Sequence, residues 1–319
     1  MRILVTGASG FVGRNLCKYL NKIGHDVLAF SRISCDFPLA INFIQGESIL
    51  KSFSKSSSLN NIDCVIHLAG ITYKKNRKVI ESYSEYFKIN VQETLNFAKL
   101  CKEGTVKRFI FLSSIKVNGE STREGKPFNE KDNPNPQDYY ALSKYEAEKG
   151  LLKIAKNSNM EITIVRPPLI YGCDAKGYFG TILKLIKLRL PLPFGLFNKN
   201  KRSFIYLENL LKFIEILVKH PKAGNEIFLC SDNDDISTAD LLKELSYGMY
   251  KKNFIFKIPR FIFLFFYLIG KGNLPKKLNE SLVIDNSKSA NLLGWDPPYS
   301  TKNALKKVSK EFLNYKKNI

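Results

Sequence analysis

The sequence predicts an α/β fold, a parallel sheet doubly wound by helices on both faces. Three observations predict it. From Met1 to about Val165, short apolar runs alternate with segments of helical spacing, the rhythm of repeated β–α–β units. The first unit turns through a glycine-rich loop, Thr6-Gly7-Ala8-Ser9-Gly10-Phe11-Val12-Gly13. A later strand runs out into Ser113-Ser114, and the C-terminal ends of parallel strands are where such sheets put their ligands. At 319 residues and 44% apolar content, the chain can bury a substantial core, and its length suggests about two domains.

Arg2-Ile3-Leu4-Val5 reads as a buried strand. Phe11 to Ile23 reads as a helix, with Phe11, Leu16, Tyr19, Leu20 and Ile23 able to share one face. The loop between them therefore delivers unpaired N–H groups and a helix dipole to one point, which attracts a phosphate. Gly7 permits the tight turn, Gly10 lets the backbone approach a pyrophosphate, and Gly13 lets the helix pack on the strand. The spacing is one residue longer at the first gap than the usual dinucleotide fingerprint. A glycine turn without a ligand is the plain alternative.

Asp26 to Phe30 is the second strand, ending in Ser31-Arg32. An NAD site usually has an acid here. A hydroxyl and a guanidinium suit a ribose 2′-phosphate instead, so NADP(H) is expected over NAD(H), with Asp36 in the same loop as the competing feature. Ser52 to Ser58 is a solvated loop or helix end. Cys64-Val65-Ile66 and Lys107 to Leu112 are further strands.

Tyr140 and Lys144 lie four residues apart, on one helical face. A phenol titrates at about pH 10, and a neighbouring ammonium lowers that toward the working range. Tyr140 is then a candidate general acid or base. Tyr139 has Ser143 at the same offset, so it is out of register with a lysine. A dinucleotide site and a proton carrier together point to redox chemistry at a carbon bearing oxygen. Ser114 is placed to hydrogen-bond that oxygen. Alone, each serine reads as a cap or turn residue.

Six cysteines, at 17, 35, 64, 101, 173 and 230, include no C-x-x-C pair. This argues against zinc or a disulfide framework and suits a reducing cytoplasm. Met1 runs into the first strand, so no signal peptide is expected. The net charge of +21 comes from lysines spread along the chain, a composition bias rather than a nucleic-acid footprint. Phe261 to Ile269 is an apolar run, too short for the roughly 20 residues that span a bilayer. A core or dimer helix is the plainer reading. Arg260 and Lys271 also suit peripheral membrane contact through 260–271. Pro191, Pro193 and Gly195 mark a loop, Phe204 to Leu207 a strand and Leu210 to Val218 a helix.

The chain resembles an extended short-chain dehydrogenase/reductase of the NAD(P)-dependent nucleotide-sugar epimerase/dehydratase family. Thr6–Gly13 is similar to its TGxxGFxG, and His67-Leu68-Ala69-Gly70 to its HLAG element. Asn90-Val91-Gln92-Glu93-Thr94 is similar to NVxGT, with Glu93 for the glycine. Ser113 to Gly119 is similar to SSxxVYG, with Asn118 for the tyrosine. Arg166-Pro167-Pro168-Leu169-Ile170-Tyr171-Gly172 is similar to RPxxxYG, and Asp285 to Lys288 with Leu293-Gly294-Trp295 to DxSKA…LGW.

The resemblance implies a Rossmann-type sheet domain, residues 1–165 plus about 203–219. It also implies a smaller, discontinuous C-terminal domain for a nucleotide sugar, about 166–202 and 220–319. It implies Ser114, Tyr140 and Lys144 as catalytic groups. The cofactor would be held by Gly7, Ser9, Gly10, Phe11, Val12, Gly13, Ser31, Arg32, Glu47, Leu68, Ala69, Gly70, Asn90, Tyr140, Lys144 and Pro167. Ser114, Lys176, Phe179 and Arg202 would hold the substrate, Arg202 at its diphosphate, and no metal is called for. His67 would pack behind the cofactor. A homodimer through the helix bearing Tyr140 is implied too.

Family 4,6-dehydratases have Asp-Glu after the catalytic hydroxyl. Here Ile115-Lys116 stand there, which excludes that chemistry. The expected reaction is reduction of a UDP-4-keto-6-deoxy-N-acetylhexosamine for surface polysaccharide. The alternatives are a UDP-hexose or UDP-N-acetylhexosamine 4-epimerase and, in another class, an NADP-binding sensor. Such sensors tend to lack the Tyr/Lys pair.

Overall fold

A computed structural model describes residues 1–72, 82–257 and 279–315. Strand β1 (Arg2–Thr6) is buried from Ile3 onward and feeds helix α1 (Phe11–Lys22), which buries Gly13, Leu16, Cys17 and Leu20. Ile23, expected on that face, lies one residue past the helix and is exposed. Then come β2 (Asp26–Ser31), β3 (Asn42–Gln45), α2 (Ile49–Ser52) and β4 (Cys64–His67). After α3 (Tyr83–Tyr86) the helix widens to π geometry over Phe87–Glu93, then continues as α4 (Thr94–Glu103). Next are β5 (Arg108–Leu112), α5 (Tyr139–Lys156) and β6 (Glu161–Arg166).

β7 (Leu169–Tyr171) and β8 (Phe204–Tyr206) pair with each other in a separate parallel ladder, with α6 (Gly177–Lys187) between them in sequence. α7 (Leu207–Lys219) packs back against α1, and β9 (Ile227–Leu229) joins the main sheet beside β6. The sheet therefore takes a strand from beyond the 203–219 return that the sequence suggested, while β8 stays outside it. α8 (Thr238–Tyr250), α9 (Ser287–Leu293) and α10 (Thr301–Tyr315) complete the described elements. The apolar run at 261–269 lies outside the described residues. Among the described residues, no helix is long and apolar enough to cross a membrane.

The sheet order is β3-β2-β1-β4-β5-β6-β9, with every pairing parallel. Side chains alternate across it. Ile3 and Val5 pack on one face with α1 and α7, while Leu4 packs on the other with Phe97 of α4 and Leu151 of α5. The chain winds outward from β1 to β3, then crosses back to lay β4 on the other side of β1. Thr6 and His67 are partners at that reversal. Helices then leave the two strand ends in opposite directions, and a crevice opens between them.

Candidate active site

The glycine loop sits at this crevice. Gly7 has φ +69°, a conformation that disfavours side chains. A Cβ there would fall 2.8 Å from Ala69 N, and one on Gly13 would fall 2.3 Å from Gly7 O. The loop is thus compacted against the end of β4 and the first turn of α1. Gly10 begins α1 with no side-chain cap, and no acid occupies the first turn. Its leading N–H groups are left for an anion, the physical requirement of a pyrophosphate site. The residues present therefore fit a dinucleotide.

A cleft runs from this loop in two directions. One arm is lined by Ser9, Phe30, Arg32, Ser48, Ile49, Leu68, Ala69 and Glu93. The other is lined by Phe11, Val12, Gly13, Ser113, Ser114, Tyr140, Lys144, Pro167 and Pro168. Gly7, Gly10, Leu68 and Gly70 line both. In the first arm, Ser31 also lines the wall, but its hydroxyl is bonded to the carbonyl of Ile33. Arg32 is exposed. Glu47 points away to Lys51 at 3.3 Å, so Ser48 and Ile49 form the wall at the turn expected to use it.

The second arm gathers the reactive groups. Ser114 caps a short 3-10 turn at Ile115–Val117, its Oγ accepting from Lys116 N at 3.3 Å. Asp138 caps α5, its Oδ1 accepting from Ala141 N at 2.7 Å. That cap sets the start of the helix and places Tyr140 beside Ser114, to which its hydroxyl is hydrogen-bonded. One turn on, Lys144 is buried and donates to Leu112 O at 2.8 Å, with its Nζ 4.4 Å from the Phe111 ring centre. Asn90, in the π-helical stretch, lies behind the cleft rather than on its wall. It donates to Ser143 Oγ (2.9 Å) and Ile71 O (3.0 Å) and accepts from Ile71 N (2.8 Å), fixing the loop after β4 to α5.

The electrostatics differ from the sequence expectation at one point. Burial pushes the Tyr140 phenol up to about 12, with Asp138 adding to it. The cation that opposes this is Lys116, not Lys144. Lys116 reaches Asp138 at 2.7 Å and Glu120 at 2.9 Å. Lys144 is itself pushed down to about 8 by burial, with Glu148 working the other way. His67 is enclosed by Phe97, Phe109 and Phe111 and bonded to the hydroxyls of Thr6 (2.9 Å) and Thr94 (3.1 Å). Burial pushes it down to about 3, so it is a neutral packing group at the floor.

Of the four residues expected to hold substrate, Ser114 lines the cleft, whereas Lys176, Phe179 and Arg202 are not on its wall. Lys176 is exposed ahead of α6. Phe179 turns into the core, with its ring centre 5.3 Å from that of Tyr171; helical spacing puts it on the buried face of α6. Arg202 donates to Glu280 O at 3.2 Å, beside Tyr178.

For other residues the sequence showed a motif position but not the contacts. Ser113 lines the cleft, and its buried hydroxyl has no hydrogen-bond partner among the described residues. Arg166 forks onto Glu148 (Nε to Oε1, 3.0 Å) and donates to Asn118 Oδ1 (2.9 Å). Asn118 in turn donates to Asn129 O (2.9 Å). The spacing 140, 144, 148 was a visible signal for Glu148, which continues the Tyr140/Lys144 stripe one turn on. Among the described residues, no cluster of His, Cys, Asp and Glu has the arrangement of a metal site.

The chain's relatives bear on this geometry. The model of the NAD dependent epimerase/dehydratase family matches residues 3–230. A UDP-glucose 4-epimerase of Vibrio cholerae is 39% identical over 313 residues, 98% of this chain and 95% of that protein. An N-acetyl-alpha-D-glucosaminyl-diphospho-ditrans,octacis-undecaprenol 4-epimerase of Escherichia coli O157:H7 is 27% identical over 252 residues, 78% of this chain and 73% of that protein. The solved structure of a UDP-N-acetylglucosamine 4-epimerase from Bacillus cereus superposes with a TM-score of 0.80 at 19% identity, covering 98% and 99% of the two chains. At that identity the likeness bears on the fold alone.

Proposed function

The chain belongs to the NAD dependent epimerase/dehydratase family, and within it we propose that it is a UDP-sugar 4-epimerase working with NAD. The observation that carries this is the 39% identity to a UDP-glucose 4-epimerase across 98% of the chain. The cleft containing Ser114, Tyr140 and Lys144 is consistent with it. The reading replaces reduction of a 4-keto sugar as first choice. It also replaces NADP(H), which rested on Ser31 and Arg32, because the Ser31 hydroxyl is spent on its own loop and Glu93 lines the same arm. A carboxylate near a 2′-phosphate is unfavourable.

Gly7, Gly10 and Gly13 would hold the pyrophosphate, the Arg32 arm the adenosine, and the Lys144 arm the nicotinamide. When bound, the cofactor supplies the acceptor of the C4 hydride and then its donor. Tyr140, as phenolate, takes the proton from the sugar O4 and later returns it. Ser114 hydrogen-bonds that same oxygen and keeps it near Tyr140. Lys144 is placed to bond the nicotinamide ribose. Between the two transfers the 4-keto sugar must turn its other face. No acid–base pair for loss of water follows Ser114, since Ile115 is buried and Lys116 is paired with carboxylates. This supports epimerisation over dehydration.

The test is to purify the protein, release and identify its nucleotide, and supply UDP-glucose or UDP-N-acetylglucosamine. Released NAD, appearance of the galacto epimer and no net consumption of reduced cofactor are expected. Stoichiometric oxidation of NADPH with a UDP-4-keto-6-deoxy-N-acetylhexosamine, without interconversion of the epimers, would overturn the assignment in favour of a reductase.

A further inference from the structure

Acidic residues make up 29 of the 319, yet two long stretches contain none. Residues 175–207 and 245–279 lack Asp and Glu entirely, and each carries seven lysines or arginines. They are separate in sequence, but the fold lays their described parts side by side. Leu192 N donates to Phe254 O at 2.9 Å, Phe256 N to Leu192 O at 3.1 Å, and Gly195 N to Phe256 O at 2.9 Å. The Tyr250 hydroxyl donates to Lys187 O at 2.7 Å, and the Arg189 guanidinium lies 4.6 Å from the Tyr250 ring centre.

The seam between the end of α6 and the end of α8 leaves large apolar side chains in water. Leu188 is 68% exposed, Leu190 43%, Tyr247 48% and Phe256 44%. Around them Lys184, Lys251, Lys252 and Lys257 are exposed. One surface thus carries cations with no intervening carboxylate in either stretch, and leucines and aromatics among them.

We propose that this acid-free seam between α6 and α8 docks the protein on an anionic membrane surface. Lysines then meet lipid headgroups, while Leu188, Leu190 and Phe256 enter the boundary below them. A nucleic acid would neutralise the lysines but leave the leucines in water. A second copy in a two-fold pair would set the same cationic face against itself. A bilayer bearing acidic lipid satisfies both kinds of side chain.

The test uses the full chain and sedimentation with vesicles of phosphatidylcholine alone or phosphatidylcholine mixed with phosphatidylglycerol. Binding to the mixed vesicles, little to the neutral ones, and weakening with salt are expected. Lys251→Gln/Lys252→Gln should cut partitioning about fivefold per charge. Leu188→Asp/Leu190→Asp should cut it by more than about tenfold, with turnover in solution unchanged, so docking and the proposed reaction fail or stand separately. Leu188→Ser/Leu190→Ser provides the same reading should the aspartates impair folding. Equal partitioning to neutral and acidic vesicles, no partitioning at all, or indifference to the leucine variants would overturn the proposal. So would a dimer in light scattering that the leucine variants dissociate, which would assign the face to a second copy.

Discussion

Replacing Lys116 by glutamine removes the cation that acts most on the candidate proton carrier. The Lys116 ammonium lies 2.7 Å from Asp138, whose carboxylate caps the helix carrying Tyr140 and pushes the phenol upward. The substitution thus deletes a charge that favours phenolate and unmasks one that opposes it. An adjacent opposite charge moves a titration by about 1–3 pH units. The Lys116 side chain is 27% exposed, so solvent screening points to the low end, about one unit or ~1.4 kcal/mol. A higher pKa means less phenolate at neutral pH. The kcat/KM for the proposed interconversion of UDP-glucose and UDP-galactose should therefore fall about tenfold at neutral pH. Its acid limb should move up by about one pH unit, with activity recovering as pH rises. Lys116→Arg keeps the charge and should restore most of the loss. A partly exposed ion pair contributes about 0–1 kcal/mol to stability, so the melting temperature should scarcely change. A pH profile for Lys116→Gln that superimposes on the parent, or an equal loss in Lys116→Arg, would refute the reasoning.

Tyr140→Phe removes the proposed proton carrier while keeping the ring. Turnover should drop by about 10²–10⁴-fold with the released nucleotide unchanged, and a variant within a few-fold of the parent would dismiss Tyr140 from the chemistry. Arg166→Met leaves Glu148, 1% exposed at its side chain, without its guanidinium partner. Urea unfolding should show a loss of about 3–5 kcal/mol, much of it regained in Arg166→Met/Glu148→Leu; equal losses in single and double variants would contradict a paired role. His67 is held neutral, at about 3 in the fold against an ordinary value of 6.5. A lowered histidine stabilises fully above 6.5 and loses that contribution as pH falls toward 3, about 2 kcal/mol of it by pH 5. His67→Gln should flatten the decline in stability from neutral pH to pH 5, and an unaltered slope would discount the buried imidazole.

Much of the fold was legible because its signals are local. The β1–loop–α1 unit needs an apolar run, three glycines and a helical stripe, all within the first 23 residues. The Tyr140/Lys144 register is likewise fixed by helix geometry. Phe179 and β9 were less legible for the complementary reason. The resemblance implied a sugar contact at Phe179, but its position on α6 sends the ring against Tyr171. β9 is three residues long, too short for a period to emerge, and it is a strand because β6 offers an open edge.

The electrostatics of the site were less legible, and the reason is general. A pKa is set by burial and by charges near in space, and here the largest charge contribution comes from another element. Lys144 is one turn from Tyr140, so helix periodicity nominates it as the tuning cation. Its ammonium is instead engaged by the Leu112 carbonyl at the end of β5. Lys116, 24 residues before Tyr140 in the numbering, arrives through the 3-10 turn that Ser114 caps and is fixed there by Asp138, the cap of α5. Two helix caps, each readable as mere punctuation, thereby bring hydroxyl, phenol and ammonium together. The position that holds a glutamate in the 4,6-dehydratase pattern holds a lysine in this chain. That exchange withdraws a carboxylate from water loss and supplies a cation to the phenol, which is the charge balance that the proposed proton-carrying role of Tyr140 needs.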